Sequence, residues 1–141
     1  MANFIIALRK VLKNEGGYAN DPDDAGGETY KGISRKNYPT WSGWTSIDQI
    51  KKYHPRGFKT ILEGTKELQD KVKEFYKRNF WDKLYLDDCA NQELANQCFD
   101  MAINAGVKAG VKILQKTLGI PADGKLGSVT IAAIKKIKKN R

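Results

Sequence analysis

Helical periodicity, broken once by a glycine-rich segment, is the feature that most constrains the fold of this chain. Residues 18–45 hold glycines and prolines but no sustained helical period, so we expect a loop and a short hairpin there. On both sides of this segment, apolar residues recur at the three- and four-residue spacing of amphipathic helices. The predicted helices cover residues 3–14, 65–80, 91–105 and 107–118. The sequence therefore predicts a mainly α fold with a short loop or β-hairpin segment after the first helix.

Capping patterns predict two shorter helices. Ser46 and Gln49 form a capping-box pattern for a helix that runs through about Tyr53. Ser128 can cap a last helix, in which isoleucines recur at helical spacing up to Ile137. Neither helix is separated from its neighbours by a low-complexity linker, so we expect the chain to pack as one unit.

Composition excludes several classes of protein. The 141 residues contain no apolar run approaching the roughly 18 that a membrane-spanning helix requires. Two cysteines, Cys89 and Cys98, are too few for a disulfide scaffold, and we expect both to be reduced. His54 is the only histidine, which leaves too few ligands for a zinc site and argues against a Ser-His-Asp or Cys-His mechanism.

Positive charge is concentrated in the second half of the chain. The whole sequence carries 25 Lys plus Arg against 16 Asp plus Glu, a net charge of +9, and residues 71–141 hold 14 of these basic and 7 of these acidic residues. Lys108, Lys112 and Lys116 fall on one helical stripe. Such a surface attracts polyanions, whether nucleic acid, teichoic acid, lipopolysaccharide or an anionic membrane. The alternative is a solvated helix face that keeps the protein soluble.

Glu15 stands where the first helix is expected to end. A carboxylate is unfavourable there because the partial charge of a helix C-terminus is negative, so a sequence optimised only for folding would place Lys or Arg at this position. The same surroundings favour the protonated carboxyl group, which is the form that a general acid needs. Gly16 and Gly17 remove side chains from its approach. Glu15 is therefore either a general acid at a cleft or a surface residue beside a helix-ending glycine pair.

Four acidic residues follow within eight positions: Asp21, Asp23, Asp24 and Glu28. Calcium binding does not fit them, because Ala25 and Gly32 stand where an EF-hand loop needs its fifth and twelfth ligands. A second carboxylate facing Glu15 across a cleft would fit glycoside hydrolysis. In that reaction one acid protonates the leaving oxygen while the other activates water or attacks the sugar. We therefore interpret this segment as one wall of a catalytic cleft, with no metal ion and no organic cofactor implied.

The same segment resembles a known family signature. The residues that carry the resemblance are Glu15-Gly-Gly-Tyr18 and Pro22-x-Asp24-x-Gly26-Gly27-x-Thr29-x-x-Gly32-Ile33. They are similar to the signature of glycoside hydrolase family 108, the N-acetylmuramidases of phage endolysins and bacterial prophage regions. Downstream blocks are similar to the predicted peptidoglycan-binding region of that family: residues 80–84, 99–106, 114–115 and 123–130.

The spacing of these residues also resembles that of phage-type lysozymes. In those enzymes a Glu that ends the first long helix precedes an Asp by nine positions and a Thr a little further on. The resemblance implies that Glu15 is the general acid, that Asp24 is the base that positions or activates water, and that Thr29 holds that water. Thr29 stands one residue short of the phage-lysozyme spacing, and Asp21 and Asp23 remain rivals to Asp24.

Substrate-binding residues are expected among aromatic and amide side chains. Tyr18, Asn20 and Tyr30 lie near the proposed cleft in sequence, and aromatic residues there serve either packing or sugar binding. Asn104 lies in the strongest core helix with Asp100 one turn before it. A polar side chain beside an apolar face needs a partner, either a substrate amide or a backbone group.

These inferences combine into a lysozyme-like, mainly α enzyme. The resemblance implies a catalytic segment at 1–84 and a helical peptidoglycan-binding-like segment at 85–141, packed as one compact unit. It implies a muramidase of the lysozyme type that cleaves the β-1,4 bond between N-acetylmuramic acid and N-acetylglucosamine in phage-type lysis. Inversion at the anomeric carbon is expected by analogy with phage-type lysozymes. Carboxyl groups only about 5 Å apart would favour retention instead.

Partners and localisation follow from charge and from the N-terminal sequence. Peptidoglycan strands are the expected substrate of a probable monomer, and the basic C-terminal face would hold an anionic cell envelope. Residues 4–8 are apolar and are followed at once by Arg9 and Lys10, the reverse of the order in a secretory signal peptide. We therefore expect the protein to stay in the host bacterial cytoplasm until a holin or cell lysis releases it to the wall.

Two other functions compete with this hypothesis. A non-catalytic peptidoglycan-binding module would use the Asp123-Gly124 turn and the basic face, and would sediment with the wall without dissolving it. A nucleic-acid-binding protein would use the lysine stripe, with an affinity that falls steeply as salt rises. The sequence holds no base-reading or stacking motif for the latter, so we expect no nucleic-acid partner.

Overall fold

The first helix, α1, spans Phe4–Asn14 in a computed structural model that describes residues 2–23 and 27–137. Its apolar stripe supplies Phe4, Leu8 and Val11 to the core, as the helical period predicts. Three short strands follow: β1 at Tyr18–Asn20, β2 at Glu28–Tyr30 and β3 at Ile33–Ser34. They form an antiparallel sheet in the order β1-β2-β3.

Helices make up most of the rest of the described chain. In chain order they are α2 at Gly43–Tyr53, α3 at Phe58–Gly64, α4 at Lys66–Tyr76, α5 at Gln92–Ala105, α6 at Val107–Leu118 and α7 at Ser128–Lys135. A π-helical turn at Lys77–Trp81 and 3-10 turns at Asp82–Leu84 and Leu86–Asp88 connect α4 to α5. The predicted mainly α, lysozyme-like fold with a β segment after the first helix is confirmed. None of the described helices combines the length and the apolar character needed to cross a membrane.

Several helix ends differ from the predicted ones. Helix α2 begins at Gly43, so Ser46 lies inside it, where its hydroxyl accepts a hydrogen bond from Lys71 Nζ at 2.8 Å instead of capping the helix. Gly127, and not Ser128, occupies the N-cap position of α7. By contrast, the Asn91 side chain caps α5 by accepting a hydrogen bond from the Leu94 N–H at 3.1 Å.

The chain divides into two compact units, Met1–Val11 with Tyr76–Arg141, and Leu12–Phe75. The first unit centres on the rings of Phe4, Trp81 and Phe99, which meet edge to face at centroid distances of 5.4 to 5.8 Å. The second centres on a set of fully or almost fully buried side chains: Tyr30, Ile33, Trp44, Ile47, Leu62, Leu68 and Val72. The predicted boundary at residue 84 stays a prediction.

Candidate active site

Glu15 directly follows the last residue of α1, where the sequence predicts it. Its backbone N–H donates to the Leu12 carbonyl at 3.2 Å, which closes the final turn of the helix. The residue is half-buried, and none of the described residues forms a hydrogen bond or ion pair with its carboxylate. A Cβ built on Gly16 would meet no atom within 4 Å. The space beside Gly16 is therefore open, and the carboxyl group of Glu15 has no structural partner among the described residues.

The small sheet begins three residues later and has two distinct faces. Its register pairs Tyr18 with Tyr30 and Asn20 with Glu28, and β3 continues it by pairing Ser34 with Thr29. Because side chains alternate along a strand, Tyr18, Asn20, Glu28 and Tyr30 share one face, whereas Ala19, Thr29 and Ser34 share the other. The sheet thus divides the predicted site residues: Thr29 lies on the face opposite Tyr18, Asn20 and Tyr30.

Glu28 is the centre of a polar cluster on the first face. Its side chain is only 13% exposed and accepts hydrogen bonds from Tyr18 Oη at 2.5 Å and Arg35 Nη1 at 2.9 Å. Lys51 Nζ lies 3.5 Å from the same carboxylate and donates to Tyr18 Oη at 2.8 Å. Arg35 also holds Asp48 through two bonds of 2.7 Å. The sheet is therefore joined to α2, which carries Asp48 and Lys51.

This cluster shifts the pKa values of its members, including those of Glu28 and Tyr18. Burial raises the pKa of Glu28, but the hydrogen bonds from Tyr18 and Arg35 and the charge of Lys51 outweigh it, so its pKa lies below the usual value. Burial and the hydrogen bond to Glu28 raise the pKa of Tyr18. Glu28 is thus held as a carboxylate and Tyr18 as a neutral phenol, which suits a structural cluster and not a general acid.

Tyr30 forms a second polar cluster with α3 and α4. Its ring is fully buried, and its hydroxyl donates to Glu63 and accepts from Gln69 Nε2 at 2.9 Å. Lys31 Nζ donates to Gln69 Oε1 at 2.5 Å and lies 3.5 Å from the Glu63 carboxylate. Burial, followed by the bond to Glu63, raises the pKa of Tyr30. These contacts belong to packing, and the predicted binding role of Tyr30 stays a prediction.

The candidates for the second carboxylate lie between β1 and β2. Asp21 and Asp23 are exposed, and the Asp23 N–H donates to Asp21 Oδ1 at 2.9 Å in a tight turn. Asp24 lies outside the described residues. Thr29 is half-buried, and among the described residues none forms a side-chain hydrogen bond with it. The choice among the three aspartates stays open.

Asp100 and Asn104 lie in the other compact unit, on the exposed side of α5. Asn104 Nδ2 donates to the Asp100 carbonyl at 3.0 Å, which is the backbone partner that the sequence left as an alternative. Within residues 2–23 and 27–137, no three His, Cys, Asp or Glu side chains are grouped as they would be around a metal ion.

Sequence reasoning missed the residues that hold the sheet to the helices. Arg35, Lys51, Glu63 and Gln69 are separated by 6 to 34 positions, and no motif connects them. The one available signal was the polar character of Gln69 beside the apolar stripe of a strongly periodic helix. Such a residue needs a polar partner, but the sequence does not identify Tyr30 as that partner.

Comparisons with known proteins find one family model and a similar solved structure. The family model described as Glycosyl hydrolase 108 matches residues 8–106, a range that contains Glu15 and the sheet. The solved "Structure of Brucella abortus SagA" is similar to this chain at 30% sequence identity, with a TM-score of 0.58. The match covers 96% of this chain and 70% of that one. A search of curated proteins gives no match.

Proposed function

Since the chain belongs to glycosyl hydrolase family 108 and is a peptidoglycan hydrolase of lysozyme-like fold, we propose that it is an N-acetylmuramidase. It would cleave the β-1,4 bond between N-acetylmuramic acid and N-acetylglucosamine. The observation that carries this proposal is the position of Glu15, which is half-buried at the end of α1 and has no side-chain partner among the described residues. A general acid needs such a position because its proton must reach a substrate oxygen and not a neighbouring side chain.

The proposed reaction is a single displacement with inversion. Glu15 donates its proton to the glycosidic oxygen as the bond from that oxygen to the anomeric carbon breaks. Water attacks the opposite face of the same carbon and loses its proton to a second carboxylate. Asp24 is our first candidate for that base, with Asp21 and Asp23 as rivals, and Thr29 is proposed to hold the water. Thr29 lies on one face of the sheet and the Glu28 cluster on the other. The cluster occupies its own face, which supports the assignment of the water to the face that carries Thr29.

Binding of the glycan is proposed to involve Tyr18, Asn20, Tyr30, Asp100 and Asn104. Asn20, Asp100 and Asn104 are exposed, which supports this role for them, whereas Tyr18 is half-buried and Tyr30 fully buried. Tyr18 and Tyr30 therefore act chiefly by holding the sheet. The proposal accordingly assigns direct sugar contact first to the exposed amides.

The cellular setting is also a proposal. We propose a monomeric enzyme that stays in the bacterial cytoplasm until phage-type lysis, and whose basic C-terminal face then holds it to the envelope. Cys89 and Cys98 are both free and buried, and burial raises the pKa of the Cys98 thiol to about 12. Such unreactive thiols are compatible with synthesis in a reducing compartment. Fractionation of producing cells before and after holin expression tests this localisation.

The decisive experiment compares wild type, Glu15→Gln and the matched control Glu93→Gln in clearing a suspension of purified peptidoglycan. Glu93 is an exposed carboxylate on α5 with no described ion pair. We expect Glu15→Gln to lose about three orders of magnitude or more in rate, because the amide cannot donate the proton, and Glu93→Gln to keep its activity. Circular dichroism must show that all three proteins are equally folded.

Each other outcome identifies a different error. Equal activity of the three proteins would mean that Glu15 is not the acid. A wild type that sediments with the wall without dissolving it would favour the non-catalytic binding module. If Glu15→Gln alone is inactive, Asp24→Asn, Asp21→Asn and Asp23→Asn are compared next. Nuclear magnetic resonance of the first product then tests stereochemistry: an α-anomer supports inversion, and a β-anomer supports retention.

A further inference from the structure

We propose that helix α6 and the turn after it form a docking surface for a linear, phosphate-bearing polyanion attached to the cell wall. The surface, called here the lysine surface, consists of Lys108, Lys112 and Lys116 of α6 and Lys125 of the turn. The inference deepens the proposed function, because it names the partner that would keep a wall-degrading enzyme on its insoluble substrate.

The positive charge of the lysine surface is not balanced by nearby acidic residues. Between residues 106 and 137 the sequence has six lysines and a single acidic residue, Asp123. The four members of the lysine surface are exposed, and within the described part of the chain none of them forms an ion pair. Asp123 supplies one negative charge against these four lysines, and its Oδ1 accepts hydrogen bonds from the Lys125 N–H and from Gln115 Nε2, both at 2.9 Å.

Hydrogen bonds from Gln115 hold the turn of the lysine surface in place. Gln115 is 99% buried, and its Nε2 also donates to the Lys125 carbonyl and to Thr130 Oγ1, each at 3.0 Å. Its Oε1 accepts from the Gly124 N–H at 2.9 Å. One amide thus uses both of its ends to hold the turn against α6. The backbone that carries Lys125 is therefore positioned before any partner binds, which lowers the entropic cost of binding.

The turn also orders the lysine side chains beside it. A Cβ built on Gly124 would lie 2.6 Å from Lys108 Cγ and 3.2 Å from Lys112 Cε. The turn therefore rests on the aliphatic parts of both lysines, while their ammonium groups remain in solvent. Lysines four positions apart on a helix are separated by about 6 Å along its axis, so three of them form a row about 12 Å long. A row of cations suits a linear polymer better than a single small anion.

The exposed side chains of α6 indicate the chemistry of the partner. Helix α6 is described in full, and its exposed positions carry no large apolar side chain that could insert into a bilayer. Binding there is electrostatic, which favours a hydrated polymer over a lipid surface. Lysine ammonium groups bind phosphate as compact point charges, and a phosphodiester keeps its charge over the whole range of physiological pH. A wall-anchored phosphodiester polymer meets both conditions.

The test measures binding of the full chain to sodium polyphosphate and to purified cell wall. One variant combines Lys108→Gln, Lys112→Gln and Lys116→Gln. Its matched control combines Lys36→Gln, Lys59→Gln and Lys83→Gln, three exposed lysines elsewhere, so both variants have the same net charge. At low salt we expect the first variant to bind about 100-fold more weakly and the control to change by less than about threefold. The slope of log affinity against log salt should fall by about 2 in the first variant alone.

Wall preparations distinguish the possible partners. The lysine-dependent part of the binding, which is the difference between wild type and the Lys108, Lys112 and Lys116 variant, should be lost when the phosphodiester polymer is removed from the wall by acid hydrolysis and the peptidoglycan is kept. An unchanged difference on this phosphate-free wall would overturn the proposal in favour of peptidoglycan carboxylates. Stronger lysine-dependent binding to vesicles of equal parts phosphatidylglycerol and phosphatidylcholine would overturn it in favour of lipid. Equal losses in the two triple variants would mean that only net charge matters.

This proposal and the proposed function can fail separately. The lysine variant should hydrolyse short soluble peptidoglycan fragments at the wild-type rate, since a soluble fragment needs no docking to an insoluble wall. Glu15→Gln should bind polyphosphate like wild type. Loss of fragment hydrolysis in the lysine variant would show that the surface serves catalysis and is not a separate docking site.

Discussion

Charged side chains are used differently in the sheet region, residues 12–75, and in the C-terminal helices, residues 106–137. In the sheet region Glu28 and Asp48 are both joined to Arg35, and Lys51 completes the cluster. In the C-terminal helices the lysine surface forms no ion pair with any described acidic residue. Charges that pair within the chain hold its backbone, whereas unpaired charges remain available to a partner. This difference separates a positioning cluster from a docking surface.

The physical reason for the difference lies in how each region is built. The strands contain three, three and two residues, too few for a sheet that is stable by itself. Polar contacts with helices α2, α3 and α4 supply the missing stability. Helices α5 and α6 need no such help, because they pack closely: a Cβ on Gly110 would lie 2.8 Å from the Cys98 carbonyl oxygen. Their outer faces are therefore free to carry charge.

The largest expected effect concerns Gln115, a buried polar side chain that holds the turn after α6 in place. Gln115→Ala should lower the free energy of unfolding by about 3 kcal/mol, because it leaves a cavity and unpaired groups on Gly124 and Thr130. Urea denaturation monitored by circular dichroism measures this change. The exposed Gln97→Ala on α5 is the matched control and should change stability by less than about 0.5 kcal/mol.

If Gln115→Ala and Gln97→Ala both lowered the free energy of unfolding by a similar small amount, the contrast between the two regions would fail. It would mean that the turn at Asp123–Lys125 is not fixed by Gln115. The lysine surface would then lack the order that its proposed role requires, and only the spacing of the lysines on α6 would remain in its support.

Much of the fold could be predicted from sequence because long helices show a clear apolar period. The apolar period gives α1, α4, α5 and α6 to within a few residues, except that the predicted 65–80 helix changes to a π-helical turn at Lys77–Trp81. Helix α3 has seven residues, too few for a period to emerge, and it was not predicted. The strand register also could not be predicted, since strands of two or three residues carry no reliable alternation.

The candidate site was predictable to a different extent for each residue. Glu15 could be located because a helix end followed by two glycines is a local signal. Thr29 lies on the face of the sheet opposite Tyr18 and Tyr30. This placement depends on the strand register, which the sequence does not specify. The partners of Tyr30 could not be found because Glu63 and Gln69 lie 33 and 39 positions away and meet it only in the folded chain.

The second expected effect is a pH dependence that belongs to the sheet region. Because the pKa of Glu28 lies below its usual value, its charged form stabilises the folded state. That stabilisation is complete above the unfolded pKa of about 4.3 and is lost as pH falls through the lower pKa of the folded state. Wild type should therefore exceed Glu28→Gln in unfolding free energy by about 1 kcal/mol at neutral pH, and the gap should close as the pH falls below the unfolded pKa of about 4.3.

Thermal or urea unfolding across this pH range measures the gap directly. The difference between the curves reports on Glu28 together with its effect on Asp48, which shares Arg35 with it. Glu93→Gln, which removes an exposed carboxylate without a described ion pair, should run parallel to wild type. A gap for Glu28→Gln that stays constant with pH would show that the lost interaction is packing and not charge.

The smallest expected effect lies on the lysine surface and has the opposite sign. Lys112 stands four positions from both Lys108 and Lys116, so two like-charge pairs repel along α6. Lys112→Gln should therefore raise the unfolding free energy by about 0.5 kcal/mol at low salt, and the gain should vanish at high salt, which screens the repulsion. Lys66→Gln is the matched control, because it removes an attractive pair with Asp70 at 2.9 Å and should lower stability. If Lys112→Gln were destabilising at low salt and less so at high salt, Lys112 would have an acidic partner within the chain, and the contrast between paired and unpaired charge would fail at its central residue.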